Sequence, residues 1–370
     1  MTALPGWERS PAFVFDATRC ALSVLDQAHL PFEQRYLQPG SVADCVRVIR
    51  EMNVRGAPLI GLVAAAGMAF AARADASDAA LEAAAALLIA SRPTAVNLRW
   101  AVEDLQAVLR TAPLAARAAA AAARVLALQH SESACCARIG EHGLGIMRAL
   151  ADTPRVRERG VLNVLTHCNA GWLATGAWGT ALAPVYRAAA AGIAVHVWVD
   201  ETRPRNQGAR LTAWELGEGG IAHSIVADNC AGHLMQRGLV DVCIVGSDRT
   251  TAAGDVANKI GTYLKALAAR DNGVPFYAAV PFSTIDWTLD DGVHEVPIEE
   301  RSAREVTHVR GRAPDGKLEE VEVVAPGTRV RNPGFDVTPA RLVTGIITER
   351  GVAAASRAGL AALYSGHERH

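Results

Sequence analysis

A single cysteine follows an apolar, β-branched stretch and could act there as an acid, a base or a nucleophile. The stretch is residues 161–165, and Cys168 follows it in the sequence Thr-His-Cys-Asn-Ala-Gly at 166–171. The stretch predicts a buried strand of a parallel sheet, and open α/β sheets bind ligands beyond the carboxyl ends of their strands. Cys168 is therefore a candidate reactive thiol, with a small buried hydrophobic side chain as the alternative interpretation.

A single carboxylate occupies a similar position after a second apolar run. Asp248 follows residues 242–245, all of which are apolar. A carboxyl group in apolar surroundings has a raised pKa and can serve as a general acid near neutral pH. The alternative is an ordinary ion pair with the neighbouring Arg249, or the cap of a loop. His167 is not placed in a dyad with Cys168, because adjacent strand residues point to opposite faces.

Two segments in the first third of the chain carry donors suited to an anion. Arg55, Gly56 and Ala57 open a predicted helix, and the free N–H groups of a helix start bind phosphate well. Arg92 precedes a proline, which favours an extended backbone and directs the guanidinium away from the preceding helix. Each segment alone could be an ordinary helix cap or surface arginine.

Two further segments in the second half carry donors. Gln207 belongs to the polar sequence Arg-Asn-Gln-Gly at 205–208. Asn258 and Lys259 end the sequence at 254–259, which we expect to lead into a helix at 260–268, where both side chains could donate to a phosphate. A polar helix start is the alternative interpretation for this last segment.

Composition excludes several classes of function. Lys and Arg number 37 against 38 for Asp and Glu, a net charge of -1 that does not favour nucleic acid or an anionic membrane. The seven cysteines, two of them adjacent, form no disulfide framework, and we expect a reducing, cytoplasmic location. Neither a Walker loop nor a GxGxxG motif occurs, and the eleven histidines form no HExxH cluster, so no nucleotide, dinucleotide or metal is expected.

Periodicity predicts two kinds of architecture along the chain. The first 38 residues favour a short hairpin or meander, followed by helices at 41–52, 57–72, 78–90, 97–111, 114–128 and 131–151. After residue 160, apolar runs at 161–165, 194–199, 222–226, 242–245 and 276–280 alternate with helical segments, which is typical of a parallel sheet. We therefore expect an α/β protein with a small, mostly helical N-terminal domain at 1–130 and a Rossmann-like domain at 131–370.

These segments, taken together and in this order, resemble the methylthioribose-1-phosphate isomerase family. The resemblance extends from about residue 20 to residue 352, and its motifs are Arg-Gly-Ala-Pro at 55–58, Arg-Pro-Thr-Ala-Val-Asn-Leu at 92–98, Thr-His-Cys-Asn-Ala-Gly at 166–171, Glu-Thr-Arg-Pro-Arg-Asn-Gln-Gly at 201–208, Gly-Asp-Val-Ala-Asn-Lys at 254–259 and Asn-Pro-Gly-Phe-Asp-Val-Thr-Pro at 332–339.

The resemblance implies an aldose–ketose isomerase of methionine salvage that works without a cofactor. Its substrate would be 5-methylthioribose 1-phosphate and its product 5-methylthioribulose 1-phosphate. It implies that Cys168 and Asp248 are the catalytic pair and that the protein is a homodimer. The residues implied to hold the substrate are Arg55, Gly56, Ala57, Arg92, Gln207, Asn258 and Lys259.

Two other branches of the same superfamily are alternatives. A ribose-1,5-bisphosphate or 5-deoxyribose-1-phosphate isomerase would use the same pair, but a second phosphate would need a further cation, and Gln207 weakly favours an uncharged substituent. A regulatory subunit of the translation-initiation exchange factor would bind proteins and would not need Cys168 with Asp248. Trp172 and Trp178 are bulkier than the resemblance leads us to expect, and we expect them to narrow the substrate pocket.

Overall fold

A small antiparallel sheet begins the protein, whose computed structural model describes residues 6–92 and 95–364. The strands β1 (Phe13–Asp16), β2 (Ala21–Leu25) and β3 (Tyr36–Leu37) follow a short helix α1 (Gly6–Arg9) and pair in chain order. The meander expected from the first 38 residues is therefore confirmed.

Five helices follow, and the second of them packs at the centre of the first half. They are α2 (Val42–Arg50), α3 (Ala57–Ala74), α4 (Asp78–Ile89), α5 (Val96–Thr111) and α6 (Arg117–Ala151). Helix α3 is long and apolar enough to span a membrane, but 83% of that window is buried within the protein. It is a core helix, and burial on all sides explains why it is hydrophobic all round.

Helix α6 is a single helix of 35 residues, so the expectation of two helices at 114–128 and 131–151 is wrong. Gln129 and His130 lie between the two expected segments, and neither is a glycine or proline that would end a helix. A short 3₁₀ turn, Leu114–Ala116, precedes α6. The helix passes through residue 130 without a break, and the division of the chain there stays a prediction.

The second half contains thirteen strands and nine helices within the described residues. The strands are β4 (Leu162–Thr166), β5 (Val195–Asp200), β6 (Ala222–Val226), β7 (Val242–Val245), β8 (Arg249–Thr251), β9 (Val256–Lys259), β10 (Phe276–Ala279), β11 (Ile285–Asp286), β12 (His308–Arg312), β13 (Leu318–Glu322), β14 (Phe335–Thr338), β15 (Gly345–Thr348) and β16 (Gly351–Ala353). The helices are α7 (Pro154–Arg159), α8 (Trp172–Thr175), α9 (Ala183–Ala190), α10 (Ala213–Glu218), α11 (Ala231–Gln236), α12 (Thr262–Asp271), α13 (Gly292–Glu295), α14 (Arg304–Thr307) and α15 (Arg357–Leu363).

The main sheet has seven strands in the order β16-β15-β10-β7-β4-β5-β6, and all but β16 run parallel. From β4 the chain builds outward to β5 and β6 on one side, and then from β7 to β10 and β15 on the other. This is the strand order of a doubly wound sheet, and the expected α/β class is confirmed. The order reverses between β4 and β7, and in such sheets the crevice at the reversal binds ligands.

A second sheet corrects the sequence-based view of residues 254–259. Strands β11, β8, β9 and β14 form this four-stranded sheet in that order, and β12 and β13 form a separate hairpin. Residues 256–259 are strand β9 and are not the start of a helix, because β9 pairs with both β8 and β14. Helix α12 begins only at Thr262, after Gly261. The expected helix start at residue 260 is therefore wrong, and the role of Asn258 and Lys259 in binding a phosphate stays a prediction.

Candidate active site

The two strands that flank the reversal of the main sheet bring Cys168 and Asp248 to one cleft. Cys168 lies two residues beyond β4, and Asp248 lies three residues beyond β7. The cleft encloses about 690 Å³, counted with its open mouth. All nine residues proposed from the sequence line it: Arg55, Gly56, Ala57, Arg92, Cys168, Gln207, Asp248, Asn258 and Lys259.

Cys168 is held in a backbone conformation that non-glycine residues rarely adopt. Its φ is +66°, so the strand geometry ends before it, and such strain is concentrated at functional sites. Its N–H donates to Thr202 Oγ1 at 2.9 Å, and its carbonyl accepts from Thr212 Oγ1 at 2.7 Å. Its thiol faces Gln207 Oε1 at 3.5 Å, just before a π-helical turn at Gly208–Thr212. The thiol is thus fixed on the cleft wall.

Opposing effects act on the acidity of this thiol. Burial raises the pKa of Cys168, while the positive charges of Arg55 and Lys259 act to lower it. The net direction of the pKa shift is upward, so the thiol form is favoured. An activating base or cation would have to act on Cys168 for it to become a thiolate.

Asp248 has the environment of a proton donor. Burial raises the pKa of its carboxyl group, against the lowering effects of Lys259, Arg92 and Arg55. The alternative interpretation, a pair with Arg249, is wrong, because Arg249 bridges to Asp286 at 3.3 Å. A carboxyl group with a raised pKa beside a cleft is suited to general acid chemistry.

Arg55 is oriented by a buried network that sequence reasoning did not identify. Its Nη2 donates to the carbonyl of Asn169 at 2.6 Å, and its Nη1 donates to the side-chain oxygen of the same residue. The amide nitrogen of Asn169 donates in turn to Glu215 Oε2 at 3.0 Å. Glu215 is fully buried and also accepts from the N–H of Trp172 at 2.7 Å and the hydroxyl of Tyr186 at 2.9 Å. In the sequence, only the position of Asn169 directly after Cys168 could have indicated this network.

Gly56 brings the backbone to the cleft at the start of α3, as expected. Its φ is +96°, and a Cβ there would lie 2.5 Å from the Cα of Ala174. Only glycine therefore fits between the start of α3 and helix α8. Ala57, the first residue of α3, lies at the cleft wall, where its N–H can bind an anion, whereas the next residue, Pro58, has no N–H to offer.

Arg92 and a residue that sequence reasoning missed form an ion-pair network at the cleft. Arg92 contacts Glu299 at 3.3 Å, and Arg301, which also lines the cleft, contacts Glu299 and Glu305 at 2.7 Å each. The segment around Arg301 alternates acidic and basic residues and resembles a solvated surface loop, so the sequence carried no signal for it.

Asn258 and Lys259 reach the cleft from β9. Both are buried, at 4% and 6% exposure, and Asn258 Nδ2 contacts Thr262 Oγ1 at 3.1 Å. Burial lowers the pKa of Lys259, while Cys168 and Asp248 act to raise it. Its ammonium lies 5.1 Å from the ring centroid of Phe335. A buried cation without surrounding water attracts an anionic ligand strongly.

The side chain of His167 points away from the proposed catalytic groups, as expected for the residue that directly precedes Cys168. Its Nδ1 faces Asp200 Oδ2 at 2.9 Å, and Lys265 Nζ contacts the same oxygen at 3.1 Å. Together with Asp228, His167 and Asp200 bring three possible metal ligands within 4.8 Å of one another. The ammonium of Lys265 already supplies a cation to Asp200, so this group does not need a metal ion for charge balance.

The tryptophans do not narrow the cleft, and that expectation is wrong. Trp172 is fully buried and packs against Trp7, Tyr186 and Trp214 at centroid distances of 6.1, 5.9 and 6.1 Å. The ring centroids of Trp178 and Trp7 lie 4.6 Å apart, with the two rings tilted by 47°. Neither is among the described residues that line the cleft, because both side chains extend into an aromatic cluster behind it.

Comparison with known protein families gives one match that covers most of the chain. The model of the initiation factor 2 subunit family matches residues 53–355. The chain is 63% identical over 344 residues to a methylthioribose-1-phosphate isomerase of Methylorubrum populi, with 93% of each chain covered. It is 62% identical to the isomerase of the same name from Methylorubrum extorquens, with 94% of each covered.

Solved structures show the same similarity at the level of the fold. The 5-methylthioribose 1-phosphate isomerase of Pyrococcus horikoshii superposes with a TM-score of 0.81 at 36% identity, covering 98% of this chain and 96% of that one. The delta subunit of translation initiation factor eIF-2B from A. fulgidus superposes with a TM-score of 0.77 at 34% identity, covering 95% and 98%.

Proposed function

The chain belongs to the initiation factor 2 subunit family, among its methylthioribose-1-phosphate isomerases, and we propose that it performs this aldose–ketose isomerisation with Cys168 and Asp248. The observation that carries the proposal is the meeting of the two side chains in one cleft with the five cationic or amide donors proposed from the sequence. A regulatory binding subunit has no use for a thiol and a carboxyl group in such an arrangement.

Asp248 is the proton donor in this proposal. The phosphate ester at C1 prevents the sugar from opening to a free aldehyde, so the C1–O bond of the ring must break with the phosphate in place. A protonated Asp248 gives its proton to the ring oxygen as that bond breaks, which avoids an alkoxide leaving group. The burial that raises the pKa of Asp248 keeps this proton available near neutral pH.

Cys168 handles the hydrogen that moves between C2 and C1. In a proton-transfer route its thiolate removes the C2 proton, and the resulting enol receives a proton at C1 while its C2 hydroxyl gives up its own proton to become the ketone. In a hydride route the hydrogen passes directly from C2 to C1, and Cys168 takes only the proton of the C2 hydroxyl. Both routes need a thiolate, and the positive charges of Arg55 and Lys259 offset part of the effect of burial on the pKa of Cys168.

The phosphate is held by the cationic side of the cleft. Arg55, Arg92 and Lys259 surround the space next to the start of α3, and a dianionic phosphate there is neutralised by them and by backbone N–H groups. Gln207 and Asn258 offer neutral donors for sugar hydroxyls. A neutral amide suits an uncharged 5-substituent better than a second phosphate.

We also propose that the protein is a cytoplasmic homodimer. All seven cysteines are free thiols, which fits a reducing compartment. Leu264 and Leu267 on α12 are 64% and 36% exposed, and an apolar helix face of this kind suits a self-complementary contact. Light scattering coupled to size-exclusion chromatography tests the dimer, and a monomer at micromolar concentration would refute it.

The decisive experiment is a proton-NMR assay of the purified protein in deuterated water. We expect 5-methylthioribose 1-phosphate to be converted and ribose 1,5-bisphosphate, run in parallel, to remain unchanged. Turnover of the bisphosphate alone would replace the proposed substrate, and turnover of neither would refute the proposed function. Deuterium at C1 of the product identifies the proton-transfer route.

A further inference from the structure

A charged cluster, formed by His167, Asp200 and Lys265, lies directly behind the cleft wall that carries Cys168. The side chains of His167 and Asp200 are fully buried, and that of Lys265 is 2% exposed. Removing such charges from water costs several kcal/mol per ion, so a buried cluster must be well hydrogen-bonded to persist. No step of the proposed reaction uses these groups.

Both ring nitrogens of His167 face acceptors. Nε2 lies 2.8 Å from the carbonyl oxygen of Ile260, which can only accept, so Nε2 carries a proton. Nδ1 lies 2.9 Å from Asp200 Oδ2, which also receives the ammonium of Lys265 at 3.1 Å and therefore acts as a carboxylate acceptor. The imidazole is thus fixed by two donated hydrogen bonds, in one orientation.

These two bonds join the segments that carry the proposed catalytic and binding groups. His167 directly precedes Cys168, and Ile260 directly follows Lys259. Asp200 adds a second connection to this segment. Its backbone carbonyl accepts a hydrogen bond from Thr202 Oγ1 at 2.9 Å, and Thr202 Oγ1 in turn accepts a hydrogen bond from the N–H of Cys168. The cluster therefore holds the end of β4, the end of β5 and the end of β9 together.

Gly261 lets the chain close over the ring. Its φ is +102°, and a Cβ there would lie 3.2 Å from both Cε1 and Nε2 of His167 and 3.3 Å from Lys265 Nζ. A side chain at this position would displace the carbonyl of Ile260 from the imidazole. The backbone is thus shaped around the hydrogen bond between His167 and Ile260.

We infer that His167 is a positioning residue whose imidazole, held by Asp200 and Lys265, sets the placement of Cys168 relative to Lys259. The inference rests on the proposed isomerase function. Its physical basis is that a misplacement of about 1 Å between a catalytic group and its substrate can cost on the order of 100-fold in rate. Both ring nitrogens are occupied by Asp200 and Ile260, so the effect of the imidazole is exerted through the segments that it joins.

Two amide substitutions separate the two hydrogen bonds of the ring. In His167→Gln the amide nitrogen occupies the place of Nε2 and can still donate to Ile260, whereas in His167→Asn it occupies the place of Nδ1 and reaches only Asp200. We expect kcat for 5-methylthioribose 1-phosphate to fall by about 100-fold in His167→Asn and by less than about 10-fold in His167→Gln, with smaller changes in KM.

Asn163→Leu is the matched control for loss of a buried polar side chain. Asn163 lies in the same strand, at the opposite end of the sheet, and its Nδ2 donates to the carbonyl of Leu239 at 2.9 Å. We expect this variant to lose thermal stability as the His167 variants do but to keep its kcat within about 3-fold, since misplacement acts only near the reacting groups.

The outcomes separate the inference from the function on which it rests. Native protein without turnover refutes the proposed function. Native turnover with an equal loss of kcat in His167→Gln and His167→Asn, or with no loss in either, refutes positioning through Ile260. A kcat loss in Asn163→Leu as large as that in His167→Asn assigns the effect to stability and also refutes the inference. Should His167→Asn not fold, Lys265→Met, which removes the support of Asp200, must show the same selective loss of kcat.

Discussion

Arg55 donates two hydrogen bonds to Asn169, one to its side-chain oxygen and one, of 2.6 Å, to its carbonyl oxygen. The two residues are 114 positions apart in sequence, and Asn169 directly follows Cys168. A guanidinium at the start of α3 is therefore fixed to the loop that carries the thiol. This pair connects the helical first half to the parallel sheet at the point where the proposed chemistry occurs.

We expect Arg55→Lys to lower kcat/KM by about 10- to 100-fold. An ammonium cannot reproduce the planar, two-pronged donation to Asn169, and each lost hydrogen bond to a charged group is worth about 1.5–3 kcal/mol. Steady-state kinetics checks this. Arg124→Lys is the control, because Arg124 makes a two-pronged contact with Asp104 away from the cleft and its loss should leave kcat/KM unchanged.

Cys168→Ser and Asp248→Asn should each lower kcat by about 10²–10⁴-fold, the range typical of essential acid or base groups. Both replacements are close in size to the native side chain, so we expect the thermal unfolding temperature to change little. Turnover and circular dichroism melting are the measurements. Near-native turnover in either variant would remove that residue from the catalytic pair.

Gly56→Ala should destabilise the protein and impair substrate binding together. The new Cβ would lie 2.5 Å from the Cα of Ala174, and the positive φ is itself unfavourable by about 1–3 kcal/mol for a non-glycine residue. The start of α3 must shift, so we expect KM to rise by more than about 10-fold as its N–H groups leave the phosphate.

Gly160→Ala is the matched control for this substitution. Gly160 also has a positive φ, of +76°, but nothing lies within 4 Å of the place a Cβ would take. We expect a loss of about 1–2 kcal/mol in the free energy of unfolding from the backbone alone, with KM unchanged. Equal effects of the two substitutions on KM would contradict the role given to Gly56.

We expect the titration of Glu215 to lower the free energy of unfolding as the pH rises from about 4.5 to about 7. Burial raises the pKa of Glu215 from 4.5 to about 7. The folded state then holds this proton more tightly than the unfolded state does. The stabilisation that results is complete below pH 4.5 and is lost as the pH rises through the pKa that Glu215 has in the folded protein. Linkage puts this loss at about 3 kcal/mol in the free energy of unfolding.

Denaturant unfolding at a series of pH values, on native protein and on Glu215→Gln, measures this loss. The variant lacks the titrating group, so we expect its free energy of unfolding to fall less steeply over the same range. It should also be less stable at low pH, because the new amide donors face the N–H groups that Glu215 accepts. Glu218→Gln, on the same helix with its side chain 36% exposed, should keep the native slope. An unchanged slope in Glu215→Gln would assign the loss to other groups.

Much of the fold could be predicted from local patterns of residue types in the sequence. Residues 242–245 are apolar throughout because a strand inside a doubly wound sheet is covered on both faces, and this pattern is readable without a structure. The role of Gly56 before an apolar helix could also be predicted from the sequence, because a local backbone requirement selects glycine at that position. Where local pattern failed, a partner remote in sequence decided the outcome: β9 is a strand because β8 and β14 pair with it.

The sequence by itself determined the alternation of strands and helices, the positions of Cys168 and Asp248 beyond two strands, and the donors that could meet them, because these follow from residue type and spacing along the chain. Only the tertiary structure decided that Arg301 enters the cleft, that Glu215 orients Arg55 through Asn169, and that His167 bonds to the carbonyl of Ile260. Each of these is a contact between segments far apart in sequence. Its formation depends on strand order and helix packing, which no local pattern specifies.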